Sequence, residues 1–237
     1  MESNIAIMQP YIFPYIGYMN LVQSTDFFVF YDDVNFRKKG WINRNQFILN
    51  RGRYTFTLPI EQISQNKCIK ESLVFDLSSF KKKFIHQLNL SYKKAPFLHP
   101  TLEYVERVLD HESRSFGLIA SKSIIHFFEY LGIKKEFLFS SESFSSNKKL
   151  GRTERIIDIT KKCHCKNYIN VIGGRDLYRT AEFSDSGINL KFIIPIICNY
   201  RQVNANPFID KLSIIDLMMN LPPNEIKLHL DSYSFET

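Results

Sequence analysis

Three tyrosines lie close together near the start of the chain, in the sequence QPYIFPYIGY at positions 9–18. The prolines exclude this stretch from a helix interior, and the glycine allows a ligand to approach the backbone closely. Phenol hydroxyls donate hydrogen bonds but carry no charge at neutral pH. We therefore predict a binding site on this loop, in which Tyr15 and Tyr18 act on the substrate. Its other members are Gln9, Pro10, Tyr11 and Gly17.

Two acids, Asp32 and Asp33, directly follow a continuous apolar run at 27–31. Such a run is typical of a strand buried on both faces of a parallel sheet. A short apolar run at 4–8 indicates another strand, and a helix is predicted between the two, so that a β-α-β unit results. Ligands bind beyond the carboxyl ends of such strands. We therefore predict that the acids and the tyrosines face one hollow; a solvated turn is the alternative for the acids.

The single tryptophan lies in the stretch KKGWINRNQF at 38–47, which is rich in side chains that bind polar ligands. A guanidinium group there suits a phosphate or a carboxylate in bidentate fashion. A hairpin anchored by the aromatic ring is the alternative interpretation. The residues predicted to bind substrate are Trp41, Asn43, Arg44 and Asn45.

Two later segments add to the predicted site. Arg152 and Arg155 lie in the first turn of a helix predicted over 152–163, where positive charge opposes the helix dipole. This placement is easier to understand if the arginines share an anionic ligand, or if acids from elsewhere pair with them. Gly173 and Gly174 end a strand predicted over 167–174, where the backbone could approach a ligand; a plain turn is the alternative.

Strand and helix patterns alternate along the whole chain, without a linker or a change of composition. This pattern predicts one α/β domain over residues 1–237 with a central, mostly parallel, Rossmann-like sheet. A turn signal at 50–52 between alternating segments predicts a small β-hairpin within 34–60, as an insertion or at a sheet edge. The tail after Pro222-Pro223 is expected to fray.

Composition narrows the classes of protein and of site. The chain has 237 residues, four cysteines and a net charge of +7, and the charge is dispersed in short runs rather than in a basic arm. Cys163 and Cys165 have no second pair at zinc-ligand spacing, so no metal site is predicted. We expect neither a signal peptide nor a membrane span. Reduced cysteines and a cytoplasmic location follow as expectations.

The segment YIGY at 15–18 resembles the H-x-G-H signature of nucleotidylyl transferases and class I tRNA synthetases, with tyrosine at both histidine positions. In those proteins, too, a first strand leads through a loop to a helix whose N-terminus receives nucleotide phosphates. The resemblance implies a degenerate version of their fold, often called HUP-type. Because a phenol cannot supply the charge of an imidazolium, it does not by itself predict adenylyl transfer.

Six blocks in fixed order, spanning residues 4 to about 220, resemble the WbqC-like protein family. The blocks are QPYIFPYIGY, FYDDVNFRKKGWINRN, YKKAP, GRTERIIDI, YINVIGG with the following LY, and SIIDLMMN. Members of this family occur in bacterial O-antigen and polysaccharide loci, and some have been suggested to be glycine transferases. The resemblance therefore implies an enzyme that attaches an amino acid to a sugar.

The resulting functional hypothesis is a transferase that moves a glycyl-like aminoacyl group, or another acyl group, to an amino or hydroxyl group of a nucleotide-linked sugar. The tyrosines would donate hydrogen bonds to the carbonyl oxygen, and Asp32 or Asp33 would orient the attacking amine or accept its proton. Its partners would be a nucleotide-linked amino sugar and an activated amino-acid donor, with tRNA entering only as that donor. No cofactor is evident.

Two alternatives remain open at this point. One is a nucleotidylyl transferase or ATP-dependent ligase built on the degenerate motif, and only this alternative calls for ATP and Mg²⁺, which the acid pair would bind. The other is a protein that binds sugar nucleotides without turning them over.

Overall fold

Eight strands form in the part of the chain that the computed structural model describes, which is residues 2–37, 40–62, 66–110 and 112–236. Lys38 and Lys39, which belong to two of the quoted sequence blocks, lie outside these described ranges. The strands are β1 (Asn4–Met8), β2 (Phe27–Phe30), β3 (Arg44–Leu49), β4 (Gly52–Thr57), β5 (Glu136–Phe139), β6 (Asn167–Val171), β7 (Asn189–Pro195) and β8 (Tyr233–Glu236).

Nine α-helices connect or flank these strands within the same described ranges. They are α1 (Ile16–Gln23), α2 (Leu77–Tyr92), α3 (Leu98–Leu109), α4 (Phe116–Tyr130), α5 (Ser140–Ser143), α6 (Arg152–Lys162), α7 (Thr180–Ser184), α8 (Ile214–Asn220) and α9 (Pro223–Leu230). None of these described helices is long and apolar enough to cross a bilayer.

The central sheet has six strands in the spatial order β5-β2-β1-β6-β7-β8. The first five run parallel, and β8 pairs antiparallel with β7 at the edge. Counted in chain order within the sheet, this is the 3-2-1-4-5-6 arrangement of doubly wound folds. The prediction of a single α/β domain with a mostly parallel, Rossmann-like sheet is therefore confirmed. The strand order reverses between β1 and β6.

Successive residues of β1 and β2 supply opposite faces of the sheet, as the pleat requires. Ile5, Ile7 and Val29 pack with Ile156 of α6 in the smaller of two apolar clusters. Ala6 belongs to the larger cluster, together with side chains from α1 to α4 and from α8 and α9. Because both faces of these strands are covered, their sequences must be continuously apolar. This is why the two strands could be predicted from the sequence pattern.

The predicted hairpin is confirmed, and it forms a separate two-stranded sheet from β3 and β4. Phe47 and Phe56 of the hairpin contact Phe84 of α2, with ring centroids 5.9 and 4.7 Å apart. Phe13, from the loop after β1, stacks on the same ring at 5.9 Å. The hairpin and the loop after β1 thus share one aromatic core.

The expected fraying after Pro222 is wrong, because this segment forms α9 and then β8. Pro222 caps α9, and Pro223 occupies a first-turn position, where a missing N–H and a fixed φ favour a helix start. Ile226 and Leu230 are buried in the larger apolar cluster. Burial of these side chains holds the C-terminal segment against the domain.

Candidate functional site

A cleft of about 880 Å³ opens at the carboxyl ends of β1, β2 and β6. Met8 ends β1 and Gln9 follows it, Tyr31 follows β2, and Val171 ends β6, so the cleft lies where the strand order reverses. This is the position at which open α/β sheets bind ligands. Its volume is that of a site for a small molecule or a cofactor.

Five of the residues predicted from sequence line this cleft, and they are Gln9, Tyr11, Arg152, Gly173 and Gly174. Gly173 and Gly174 lie in a 3-10 turn, Ile172–Leu177, that continues directly from β6. A Cβ on Gly173 would meet open space, whereas one on Gly174 would lie 3.1 Å from the amide of Asn170. The turn therefore packs against its own strand and presents its open part to solvent.

A second cavity of about 420 Å³ adjoins the cleft, and Tyr11 lines both. We call it the aromatic pocket, and its lining residues are Tyr11, Pro14, Tyr15, Trp41, Asn45, Gln46, Arg53 and Lys211. Tyr15, Trp41 and Asn45 of the predicted site are therefore brought together here. Arg44, which was also predicted, lies over the indole of Trp41 with its guanidinium carbon 5.0 Å from the ring centroid.

The loop between β1 and α1 is fixed by hydrogen bonds from three directions. The carbonyl of Phe13 accepts from the amide of Asn45 at 2.9 Å and from the hydroxyl of Ser213 at 2.8 Å. The N–H of Phe13 donates to the Ser123 hydroxyl at 3.1 Å. Phe13 has a φ of +41°, a left-handed conformation that persists only where the surroundings over-determine it. The loop therefore presents its tyrosines rigidly.

Tyr18, Gly17 and Pro10 were predicted in the site, but none of them lines the cleft or the aromatic pocket. Tyr18 is 3% exposed, and its hydroxyl donates to the Gln9 carbonyl at 2.8 Å. A Cβ on Gly17 would lie 2.4 Å from the ring of Tyr15. The glycine is thus needed for the packing of Tyr15, and that ring covers the first turn of α1.

The expectation that the two aspartates share a hollow with the tyrosines is wrong. Asp32 and Asp33 are each 4% exposed and line neither cavity. Asp32 accepts hydrogen bonds from the Ser141 backbone at 3.0 Å and from the Ser141 hydroxyl at 2.7 Å. Asp33 accepts from the Ser140 hydroxyl at 2.6 Å. The acid pair joins the end of β2 to the start of α5.

Asp33 also forms a buried ion pair with Arg155, 2.6 Å from Oδ2 to Nη2. The second explanation for arginine in the first turn of α6, an acid from elsewhere, is therefore correct for Arg155. Burial by itself raises the pKa of Asp33, but the hydrogen bonds from Arg155 and Ser140 outweigh it and lower that pKa. The guanidinium of Arg155 also lies over the ring of Tyr31, 4.9 Å from its centroid. Arg155 thus packs against Tyr31, which lines the cleft.

Asn43, the remaining predicted residue, serves the hairpin rather than either cavity. Its side-chain NH2 donates to the Leu58 carbonyl at 2.9 Å, and its backbone carbonyl accepts from the Leu58 N–H at 2.8 Å. Both bonds close the base of the hairpin. The alternative interpretation, a structural role in a hairpin, holds for this residue.

The phenols that line the two cavities are hydrogen-bond donors at neutral pH. Burial raises the pKa of Tyr11, and the positive charge of Arg37 opposes that shift only in part. Burial likewise raises the pKa of Tyr15 and that of Tyr31. Protonated phenols of this kind can stabilise negative charge that develops on a carbonyl or phosphoryl oxygen.

Several residues of the cleft were not predicted as site residues. Tyr31, Asn35 and Arg37 follow β2, while Asn170 and Tyr178 lie at the end of β6 and after its turn. The signal that could have found them is their position beyond the carboxyl ends of two strands that flank β1. Arg37 and Arg152 then provide two exposed guanidinium groups in the same cleft.

Comparison with known proteins gives a family but no described activity. The model of the WbqC-like protein family matches residues 9–228. The protein named "Uncharacterized protein Rv1507c" from Mycobacterium tuberculosis (strain ATCC 25618 / H37Rv) is 24% identical over 222 residues, which cover 92% of this chain and 94% of that protein. No solved structure matches the chain. Because the family model covers most of its length, the chain belongs to the WbqC-like protein family.

Proposed function

We propose that this protein is a transferase that binds a nucleotide-linked amino sugar in the cleft and moves a glycyl-like aminoacyl group, or another acyl group, to it. The observation that carries this proposal is the cleft itself, at the reversal of strand order, with Arg37 and Arg152 in its lining. Guanidinium groups recognise phosphate oxygens through paired hydrogen bonds. O-antigen or other surface polysaccharide synthesis would be the setting.

The phosphates of the substrate would lie between Arg37 and Arg152. Both side chains are exposed and approach the cleft from different elements, the segment after β2 and the first turn of α6. The open turn at Gly173 leaves its backbone accessible beside them. Asn170 lines the cleft near the end of β6, and its side-chain NH2 would donate to a sugar hydroxyl. Together these groups fit an anion with a polar, hydroxyl-rich body.

In the transfer itself, the amino or hydroxyl group of the sugar attacks the carbonyl carbon of the activated donor. A new C–N or C–O bond forms, and the bond from that carbon to the leaving group breaks with its electron pair going to the leaving group. The proton lost by the nucleophile leaves with that group or to water. Tyr11 lies at the junction of the two cavities and would donate to the carbonyl oxygen as charge develops there.

The aspartates would support this reaction from a distance. Their oxygens are engaged by Ser140, Ser141 and Arg155, so they are not the groups that accept the proton. Much of the rate would come from holding two substrates in contact, which converts a bimolecular reaction into one within a complex. An activated donor such as a thioester, an adenylate or an aminoacyl-tRNA supplies the leaving group.

A protein that binds sugar nucleotides without turnover is the second candidate. The observation that favours it is the lining of the cleft, which contains no aspartate, glutamate or histidine among its described residues. The nucleotidylyl-transferase alternative fits less well. It asks Asp32 and Asp33 to bind Mg²⁺, but Asp33 is already paired with Arg155 and Asp32 accepts two hydrogen bonds from Ser141. The ring of Tyr15 also covers the first turn of α1.

The direct test is the change in melting temperature caused by UDP- and dTDP-linked amino sugars. A ligand that binds only the folded state raises the melting temperature. We expect the shift to be lost in Arg37→Gln and Arg152→Gln. The control is Arg107→Gln, because Arg107 lies on α3 and pairs with Glu129 on the surface. No shift with any nucleotide-linked sugar, or an equal shift in all variants, would refute the cleft as their site.

Turnover is then measured by the mass of the sugar nucleotide after incubation with glycyl donors of each class. An increase equal to one aminoacyl residue supports the transferase. Tight binding with no such product, across thioester, adenylate and aminoacyl-tRNA donors, supports the binding protein instead.

A further inference from the structure

The aromatic pocket has the properties of a built binding site rather than of a surface depression. Three separate segments form it, the loop after β1, the hairpin, and the segment before α8. The N–H of Ser213 donates to the Gln46 carbonyl at 2.8 Å, and the N–H of Ile214 donates to the Pro14 carbonyl at 2.7 Å. These bonds link all three segments. The pocket is therefore preorganised, which lowers the entropic cost of ligand binding.

Aromatic rings form a large part of the pocket wall. Trp41 is 50% exposed, although a side chain of its size is usually largely buried. The guanidinium of Arg44 lies over its indole, which orients the ring. Tyr15 is held against Gly17 and presents a second aromatic surface to the same cavity. Half-exposed rings of this kind stack with planar ligands.

The rim of the pocket is positively charged. Arg53 pairs with Asp210 at 2.6 Å, so its charge is largely balanced. Lys211, the next residue along the chain, lines the same pocket and adds a positive charge. Its backbone has a φ of +51°, a conformation that few residues other than glycine adopt. Leu212 and Ser213 beside it are buried, so the chain holds Lys211 at the rim.

We infer that the aromatic pocket binds a nucleoside phosphate, with its base stacked on Trp41 and its phosphate at Lys211. A planar heteroaromatic ring with an attached anion matches both the walls and the rim. An apolar acyl chain would not use the charge, and a free amino acid would not use two aromatic surfaces. This inference rests on the proposed function, because the nucleotide would belong to one of the two substrates of the transferase.

Two sources supply this chemistry. The nucleotide could be the uridine or thymidine part of the sugar nucleotide, whose first phosphate would lie at Lys211 and whose second phosphate would lead past Tyr11 into the cleft. It could instead be the adenosine part of the activated donor, as in an adenylate or the end of an aminoacyl-tRNA. The shared element is a base with a phosphate, and the two sources differ in the base.

Trp41 makes the test direct, because it is the single tryptophan of the chain. Its fluorescence, excited at the red edge of indole absorption and corrected for ligand absorbance, reports on this pocket. We expect saturable quenching by AMP or by UMP and dTMP, and the base that binds more tightly identifies the source. Inorganic phosphate and free glycine should leave the emission unchanged. Absence of saturable quenching by every nucleotide would overturn the inference.

The role of Lys211 is tested with Lys211→Gln, and Lys227→Gln on the exposed surface of α9 is the matched control. Loss of one charge-assisted hydrogen bond should weaken nucleotide binding about tenfold. The corresponding nucleoside, which lacks the phosphate, should bind equally to the variant and to the unchanged protein. Equal weakening of the nucleoside and the nucleotide would show that Lys211 does not contact phosphate and would contradict the inference.

The two proposals fail in distinguishable ways. One outcome is that sugar nucleotides raise the melting temperature of the unchanged protein but not of Arg152→Gln, while no nucleotide quenches Trp41. In that case the inference is wrong, and the cleft is still the site for the sugar nucleotide. If mononucleotides quench Trp41 in a manner that depends on Lys211, but no sugar nucleotide changes the melting temperature, the inference stands and the proposed acceptor is wrong.

Discussion

The buried ion pair between Asp33 and Arg155 provides a quantitative prediction about what the acid pair does. Their side chains are 2% and 3% exposed, and the two charged atoms lie 2.6 Å apart. Removing one partner leaves the other charge buried and uncompensated, which typically costs 3–5 kcal/mol. Arg155 would keep its bond to Asn147, so we expect Asp33→Asn to lower the free energy of unfolding by about 3 kcal/mol.

For a chain of this length, that loss corresponds to a melting temperature roughly 6–12 °C lower. Urea unfolding of Asp33→Asn, Arg155→Met and the double variant completes a cycle. The double variant should be more stable than the sum of the single losses predicts, by about 2 kcal/mol. Asp185→Asn, at an exposed position after α7, is the control. Additive losses, or single losses below about 1 kcal/mol, would refute the structural role of the pair.

The same pair predicts how stability depends on pH. The pKa of Asp33 is lower in the folded state, since the hydrogen bonds from Arg155 and Ser140 outweigh the effect of burial. Its contribution is therefore present above the pKa of an unfolded aspartate, about 3.9, and is lost as pH falls through the folded value. The free energy of unfolding of Asp33→Asn should therefore fall less than that of the unchanged protein as the pH is lowered through this range. Equal pH profiles for the variant and the unchanged protein would contradict the lowered pKa.

Two variants of the tyrosine loop separate packing from ligand binding. Tyr18→Phe removes the hydrogen bond to the Gln9 carbonyl and should lower the free energy of unfolding by about 1–2 kcal/mol. Sugar nucleotides should still raise the melting temperature of this variant. If they do not, the Tyr18 phenol contacts the substrate after all. Gly17→Ala places a Cβ 2.4 Å from the ring of Tyr15, so the ring must move. We expect a stability loss of about 1 kcal/mol and weaker quenching of Trp41 by nucleotides, whereas unchanged quenching would show that Tyr15 is not part of that site.

The fold was predictable from sequence because its strands are buried on both faces. The run at 27–31 and the run at 4–8 lie in the middle of the sheet, and the side chains that they bury are apolar, so the pattern is clear. The edge strand β8 was missed, since Phe235 and its neighbours are partly exposed and show no continuous apolar run. The proline pair at the start of α9 carried a helix-start signal, but it was interpreted as a break.

The site was predicted in part, for a physical reason. Residues such as Gln9 and Arg152 lie beyond strand ends or at a helix start, and the topology of the sheet brings those positions together. Sequence does not show where a side chain points or what it pairs with. Asp33 follows β2 as a ligand-binding acid would, but its partner, Arg155, lies 122 positions away in the chain. Only the packing of α6 against the sheet reveals that pairing.

Gly17 illustrates a related limit. A glycine after a first strand is expected where a ligand approaches the backbone, and the sequence around it resembles a nucleotide-binding signature. In the structure, the glycine accommodates the ring of Tyr15 instead. Both explanations require the absence of a Cβ, so the residue type alone does not distinguish between them.

A crystal structure of the protein with a bound nucleotide-linked amino sugar would test the central claim most directly. Our account predicts phosphate oxygens within hydrogen-bond distance of the guanidinium groups of Arg37 and Arg152, at the carboxyl ends of β1 and β6. Phosphates located instead at the acid pair, or on the first turn of α1 with Tyr15 displaced, would contradict it.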